Sequence, residues 1–317
     1  MKCSCFVSLL AIVLSGCLPS TGRSPFLSTA RESGKVPQGT SFLFDLGSMS
    51  GEVRIFESPQ AVDVDPAGNL LVVDGRGRRV EKFDRKGNYI GELASGSVFF
   101  SPKDVFSSGE LGIYVLGSRE GIIELYDMRG RFSKDISPAL SSEGRPYSFE
   151  RIALDSSGRI YLTDRAGGRV LLLTTTGEVV KSFYPSDLSS EFHPSGLAVG
   201  KDGAVFASDP VSGLIIVFDA MGGTIQSWKT GEGSSNISGI AVDGYGNLFV
   251  ADCGSDKVLV YSREGRPVLS IGTRGSGPGS FRCPIDVAVS SDGMLYVADK
   301  GNDRIQAFRV DYEPSQK

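Results

Sequence analysis

The chain has 317 residues, 41 of them Gly, one His and one Trp, and its net charge is −4, with 33 basic against 37 acidic residues. A hydrophobic content of 40% at so small a net charge excludes a disordered low-complexity chain, a single His excludes a multi-histidine metal site, and balanced charge without a basic run speaks against nucleic-acid binding. Gly at about 13%, nearly twice the usual ~7%, predicts short strands joined by many tight turns.

Lys2 is the only charge before Arg23, and the apolar run at residues 6–14 is far shorter than the ~20 residues a membrane-spanning helix needs. This pattern predicts a secretion signal. Leu14-Ser15-Gly16-Cys17 resembles the lipobox of bacterial lipoproteins. The resemblance implies a signal peptide over residues 1–16, acylation of Cys17 and a mature chain of 301 residues held on a membrane face by lipid alone. Residues 17–40, rich in Ser, Pro, Gly and Thr and without apolar period, are expected to form a flexible tether.

One unit then recurs six times. An Asp closes a short apolar strand at Asp74, Asp164, Asp209, Asp252 and Asp299, with Gly117 in the same slot of the second copy, at spacings that average 45 residues. Pro59, Pro102, Phe149, Pro194, Ile237 and Pro284 stand 15 residues before this marker. Val80, Ile123, Val170, Ile215, Val258 and Ile305 stand six residues after it. Each copy reads as four strands; in the fifth they fall at residues 240–242, 248–250, 257–261 and 267–271, separated by turns rich in Gly and Asn. Strands this short, apolar on both faces, are buried when four-stranded sheets stack around an axis. The expected fold is therefore an all-β, six-bladed propeller over residues 41–310, followed by a tail at 311–317. The sixth copy runs out after its third strand, and residues 42–47 align with the fourth strand of the fifth copy, 267–272. The N-terminal strand is thus expected to complete the last blade and close the ring.

The repeated Asp is expected to be architectural, accepting hydrogen bonds from the turn that follows it. Positions where the copies disagree carry more information. Two residues after the Pro position they read Ala61, Asp104, Arg151, Gly196, Gly239 and Asp286. In a propeller these side chains ring one mouth of the central channel, which makes Asp104, Arg151 and Asp286 candidate ligand contacts. His193 and Cys283, each one residue before the Pro, and Arg165 and Lys300, each one after the repeated Asp, fall on the same face. Two readings stay open: a ligand site, or an ion pair between Arg151 and Asp104 that plugs the channel. Asp63 occupies a slot that holds Ala in four copies and Phe106 in another; such a carboxylate needs a partner, with Arg151, a water or a cation as candidates.

Phe281-x-x-Pro284-x-Asp286-Val287-Ala288-Val289-x-x-x-Gly293-x-Leu295-Tyr296-Val297-Ala298-Asp299-x-x-Asn302-x-Arg304-Ile305-x-x-Phe308 resembles the NHL repeat. Propellers of this kind include binding modules, sensors and enzymes. Zinc-dependent amidating lyases and streptogramin lyases are similar, but both depend on His, and this chain has one. The calcium-dependent gluconolactonase group uses a Glu/Asn/Asp channel set that Asp104, Asp286 and Asp63 imitate in part. The resemblance therefore implies no cofactor, with a divalent cation at the channel mouth as the alternative.

With Cys3 and Cys5 in the signal and Cys17 the lipid site, Cys253 and Cys283 remain. They fall on the same face of adjacent blades and are expected to form a disulfide in an oxidising compartment. The functional expectation is a monomeric, lipid-anchored module at the bacterial cell envelope, extracytoplasmic, that binds a protein, peptide or glycan. A hydrolase or lyase with a carboxylate-bound metal is the alternative.

Overall fold

The computed structural model describes residues 35–47, 56–93, 101–118, 121–139, 144, 146–186, 188, 191–231 and 236–312. The expected signal peptide, Cys17 and the tether up to residue 34 lie outside them. Among the described residues, no helix is long and apolar enough to cross a membrane.

Six four-stranded sheets make up the ring. We letter the strands a to d from axis to rim; in blade 1 they are Pro59–Val64, Leu70–Asp74, Arg79–Phe83 and Tyr89–Glu92. Neighbouring strands are antiparallel, and each a strand packs against the a strands of the blades on either side. The reason lies in the residue pattern. Strand b is buried along its whole length in blade 1 (Leu70–Asp74) and blade 5 (Leu248–Asp252), while the d strands Tyr89–Glu92 and Phe132–Asp135 are mostly exposed. The apolar side chains of b and c interleave between blades. Val62, Leu70, Val72 and Phe83 of blade 1 meet Ala288, Tyr296 and Ile305 of blade 6 in one such cluster. Each fully buried Leu, Val or Phe contributes roughly 1.5–3 kcal/mol. Turns between strands reverse tightly because Gly68 (φ 83°) and Gly87 (φ 84°) adopt left-handed backbone that a side chain would strain.

The sixth blade holds Pro284–Val289, Met294–Asp299 and Arg304–Tyr312, and Pro37–Leu46 supplies its d strand. Residues 37–40 are thus part of the closing strand. Phe42 lies opposite Phe308 and Leu46 opposite Ile305. Buried Arg304 locks the seam, donating from Nε to Asp299 (2.8 Å) and from Nη1 to Asp45 (3.2 Å).

The ring has two distinct faces. Strand a starts, and strand b ends, on what we call the upper face, built from blade-to-blade crossovers and b–c turns. The lower face carries the a–b and c–d turns. The closing strand begins at Pro37 on the lower face, where the Lys35 carbonyl accepts a hydrogen bond from Asn247 Nδ2 in the a–b turn of blade 5 (2.8 Å). The last strand ends there too, at Tyr312.

Candidate functional site

The repeated Asp residues act as clips. Asp74 accepts from the amides of Glu57 (3.0 Å) and Gly77 (3.3 Å), and Asp164 from those of Ser148 (3.2 Å) and Gly167 (3.3 Å). Asp209 accepts from His193 (3.3 Å) and Val211 (2.8 Å), and Asp299 from Arg282 (2.7 Å). Each of these four joins its own b–c region to the preceding crossover. Asp252 accepts from Gly254 (2.9 Å) and Ser255 (3.2 Å) in its own turn.

The outlying charges converge on the axis. In most blades strand a carries a register shift just after its first residue, as between Pro102 and Asp104 and between Pro284 and Asp286. Such a bulge disrupts the ladder locally and re-aims side chains. Asp104 Oδ2 accepts from the amide of Ile152 in the next blade (2.8 Å), and Asp286 Oδ2 accepts from Val62 in the next blade around the seam (2.9 Å). Their other oxygens turn towards one guanidinium: Arg151 Nε lies 3.9 Å from Asp104 Oδ1 and 3.9 Å from Asp286 Oδ1. Arg151 also donates to the carbonyls of Glu150 (3.1 Å) and of Gln60 (3.4 Å), reaching across the axis to blade 1. Its side chain is only 10% exposed. Gly239, in the equivalent slot of blade 5, makes room for the network, since a Cβ there would stand 2.7 Å from the Asp286 Cα.

The sequence left open whether Arg151 pairs with Asp104; the structure has it facing both Asp104 and Asp286. Asp63 has a main-chain partner in the next blade. Its Oδ2 accepts from the amide of Ser107 in blade 2 (2.6 Å). Although part of its surface faces open space on the axis, Asp63 is enclosed by the ring of strands, and this burial pushes its carboxyl up to about 8; the Ser107 amide pulls the other way. Burial also raises Asp104 and Asp286, and in both Arg151 opposes the shift.

Beneath the guanidinium lies a cavity of about 170 Å³. Its roof is Arg151, Asp104 and Asp286; its walls are Val, Ile and Leu side chains and the slot holding Asp63, Phe106, Ala153, Ala198, Ala241 and Ala288. Side chains at the lower end, such as Val199, Val242 and Val289, are partly exposed, whereas the roof residues are buried. The channel is thus plugged towards the upper face and open towards the lower one.

The other candidates stay on the upper face, away from this network. Arg165 and Lys300 are half-buried, with Arg76, Arg78, Arg274 and Arg282 exposed on the same face. His193 Nε2 lies 3.6 Å from Glu191. Cys253 and Cys283 are joined in a disulfide that ties the blade 5 b–c turn to the crossover entering blade 6. The residues sequence reasoning missed are the amides of Ile152, Val62 and Ser107, which a side-chain inventory does not contain.

A divalent cation does not fit this set. Each Asp commits one oxygen to a main-chain N–H, and Arg151 already supplies the cation facing Asp104 and Asp286. Among the described residues, no group of three or more His, Cys, Asp or Glu side chains is placed to hold a metal ion.

Fold and axis together define a six-bladed propeller whose channel is closed by an internal ion triad. The NHL repeat model matches residues 281–308, the sixth blade. None of the curated proteins compared with the chain matches it. Among solved structures it is similar to a streptogramin B lyase, with 13% identity, a TM-score of 0.63 and coverage of 84% of this chain and 98% of that one. Virginiamycin B lyase from Staphylococcus aureus has 13% identity, a TM-score of 0.60 and coverage of 86% and 100%. A gluconolactonase from Xanthomonas campestris has 16% identity, a TM-score of 0.62 and coverage of 81% and 87%. At these identities the likeness is one of fold.

Proposed function

We propose that the protein is a binding module of the bacterial cell envelope, held by lipid on Cys17, whose upper face engages an acidic protein, peptide or glycan. The observation that carries this reading is the division between the two faces. The chain enters the ring on the lower face, at Lys35 and Pro37. On the upper face Arg76, Arg78, Arg165, Arg282 and Lys300 present cations, while the repeated acids there are tied up in turns. Among the described residues these cations form an upper-face cluster to which complementary charge steers an acidic partner. Rigid strands hold the loops that make the contacts.

A hydrolase or lyase is the second reading, favoured by the fold shared with the streptogramin lyase and the gluconolactonase. The engaged carboxylates of the axis weigh against it. The test is photo-cross-linking of the full-length protein in its own membranes, comparing Arg165→Glu with Lys300→Glu against Lys201→Glu on the lower face. Loss of a specific cross-link only in the upper-face variant supports the module. Turnover of a lactone or a cyclic depsipeptide that is abolished by Asp104→Asn would overturn it.

A further inference from the structure

The axial cavity is distinct from the proposed partner surface and opens on the opposite face. Its chemistry is lopsided. Three carboxylates, Asp63, Asp104 and Asp286, line the cavity with one guanidinium. Arg151 is nine-tenths buried, and its Nε, in ion-pair reach of two carboxylates, has no hydrogen-bond acceptor. One tier below, Phe106 and Asp63 come from adjacent blades, and the four other blades contribute only Ala153, Ala198, Ala241 and Ala288. The alanines make the space; the aromatic ring and the carboxylate give it one polar side.

We propose that this cavity binds a small amino alcohol, with its hydroxyl at Arg151 Nε between Asp104 and Asp286 and its ammonium group against Asp63 and Phe106. Each requirement has a physical origin. A hydroxyl oxygen accepts from the orphaned N–H while its O–H donates to a flanking carboxylate, which neither an ammonium group nor a metal ion does alone. An ammonium compensates the excess negative charge, and an aromatic face beside a carboxylate is a general solution for organic cations. The two tiers lie two residues apart along strand a, about 6.6 Å, which a two-carbon amino alcohol bridges with its hydrogen bonds. A cavity of about 170 Å³ suits a molecule of this size, since an apolar one of ~150 Å³ takes benzene.

Titration supports the same reading. The charged groups facing Asp63 are Asp104 from blade 2, Arg151 from blade 3 and Asp286 from blade 6; blades 4 and 5 present only apolar side chains to the cavity. Because Asp63 holds its proton up to about pH 8, an ammonium must displace that proton, and affinity rises with pH until Asp63 is ionised.

The experiment is calorimetric titration of the full chain with choline and ethanolamine, at pH values either side of 8. 3,3-Dimethylbutan-1-ol serves as the uncharged isostere and calcium chloride as the metal control. The expected result is saturable binding of at least one amino alcohol, about tenfold weaker for the uncharged isostere and about tenfold weaker in Asp63→Asn. Ala198→Leu, which fills the cavity from the opposite wall while leaving every charge in place, should abolish binding. Equal affinity for the isostere, absence of saturable binding at millimolar amino alcohol above pH 8, or unchanged binding in Ala198→Leu would each overturn the proposal.

Discussion

Replacing Arg151 with Met keeps the apolar stem as far as the Nε position and removes the guanidinium, so it tests what the charge and its hydrogen bonds contribute to the axial network. The guanidinium faces Asp104 and Asp286 at 3.9 Å each. At an effective dielectric constant near 20, each contact is worth about 4 kcal/mol of attraction. Much of that gross gain is offset by the desolvation of Arg151, and breaking a buried pair costs about 3–5 kcal/mol net because the abandoned charges stay buried. The two carboxyls are already raised by burial and lose the cation that opposed the shift. They escape the penalty by binding protons. Urea denaturation of Arg151→Met should therefore show a loss of about 3–5 kcal/mol at alkaline pH, shrinking to about 1 kcal/mol in mild acid. A loss below about 1 kcal/mol at alkaline pH, or one that is independent of pH, would refute the idea that Arg151 neutralises the axis.

The wild-type protein carries its own pH signature. The folded-state pKa of Asp63 lies above its unfolded value of 3.8, so the stability linked to this group is complete below that value and is lost as pH rises through about 8. Thermal unfolding should show a fall of about 3 kcal/mol across this window, discounted for the water Asp63 meets in the cavity, and Asp63→Asn should remove most of that slope. Gly239→Ala places a methyl against the Asp286 backbone and should cost about 3 kcal/mol in the same denaturation assay, because strands of two blades must move apart. Cys253→Ser with Cys283→Ser opens a bridge between residues 30 apart and should cost about 3–4 kcal/mol by the chain-entropy relation, measured against the oxidised parent.

Much of the ring was legible because each blade encodes itself. The marker Asp and the Gly of the turns repeat at fixed offsets, and each acts within its own blade or on the crossover beside it, as Asp299 does on Arg282. The closing strand was legible for the same reason, since residues 42–47 carry the pattern of a d strand. The axis was only half legible. Disagreement among copies singled out Asp104, Arg151, Asp286 and Asp63, but not what they bond. Asp63 is the clearest instance: that a carboxylate there needs a partner was legible, but not that the amide of Ser107 would be one. That amide becomes available through how one blade sits against the next, which no pattern within a blade specifies. The reach of Arg151 to the Gln60 carbonyl across the channel was hidden for the same reason, as was the space beneath it.

Arg151, main-chain amides and protons, not a divalent metal, balance the axial carboxylates in the unliganded protein. Metal analysis of the purified full-length protein tests it most directly. The account predicts far less than one equivalent of any divalent metal per chain, unchanged in Asp104→Ala with Asp286→Ala. One equivalent of a divalent metal that survives dialysis and disappears in that double variant would contradict it.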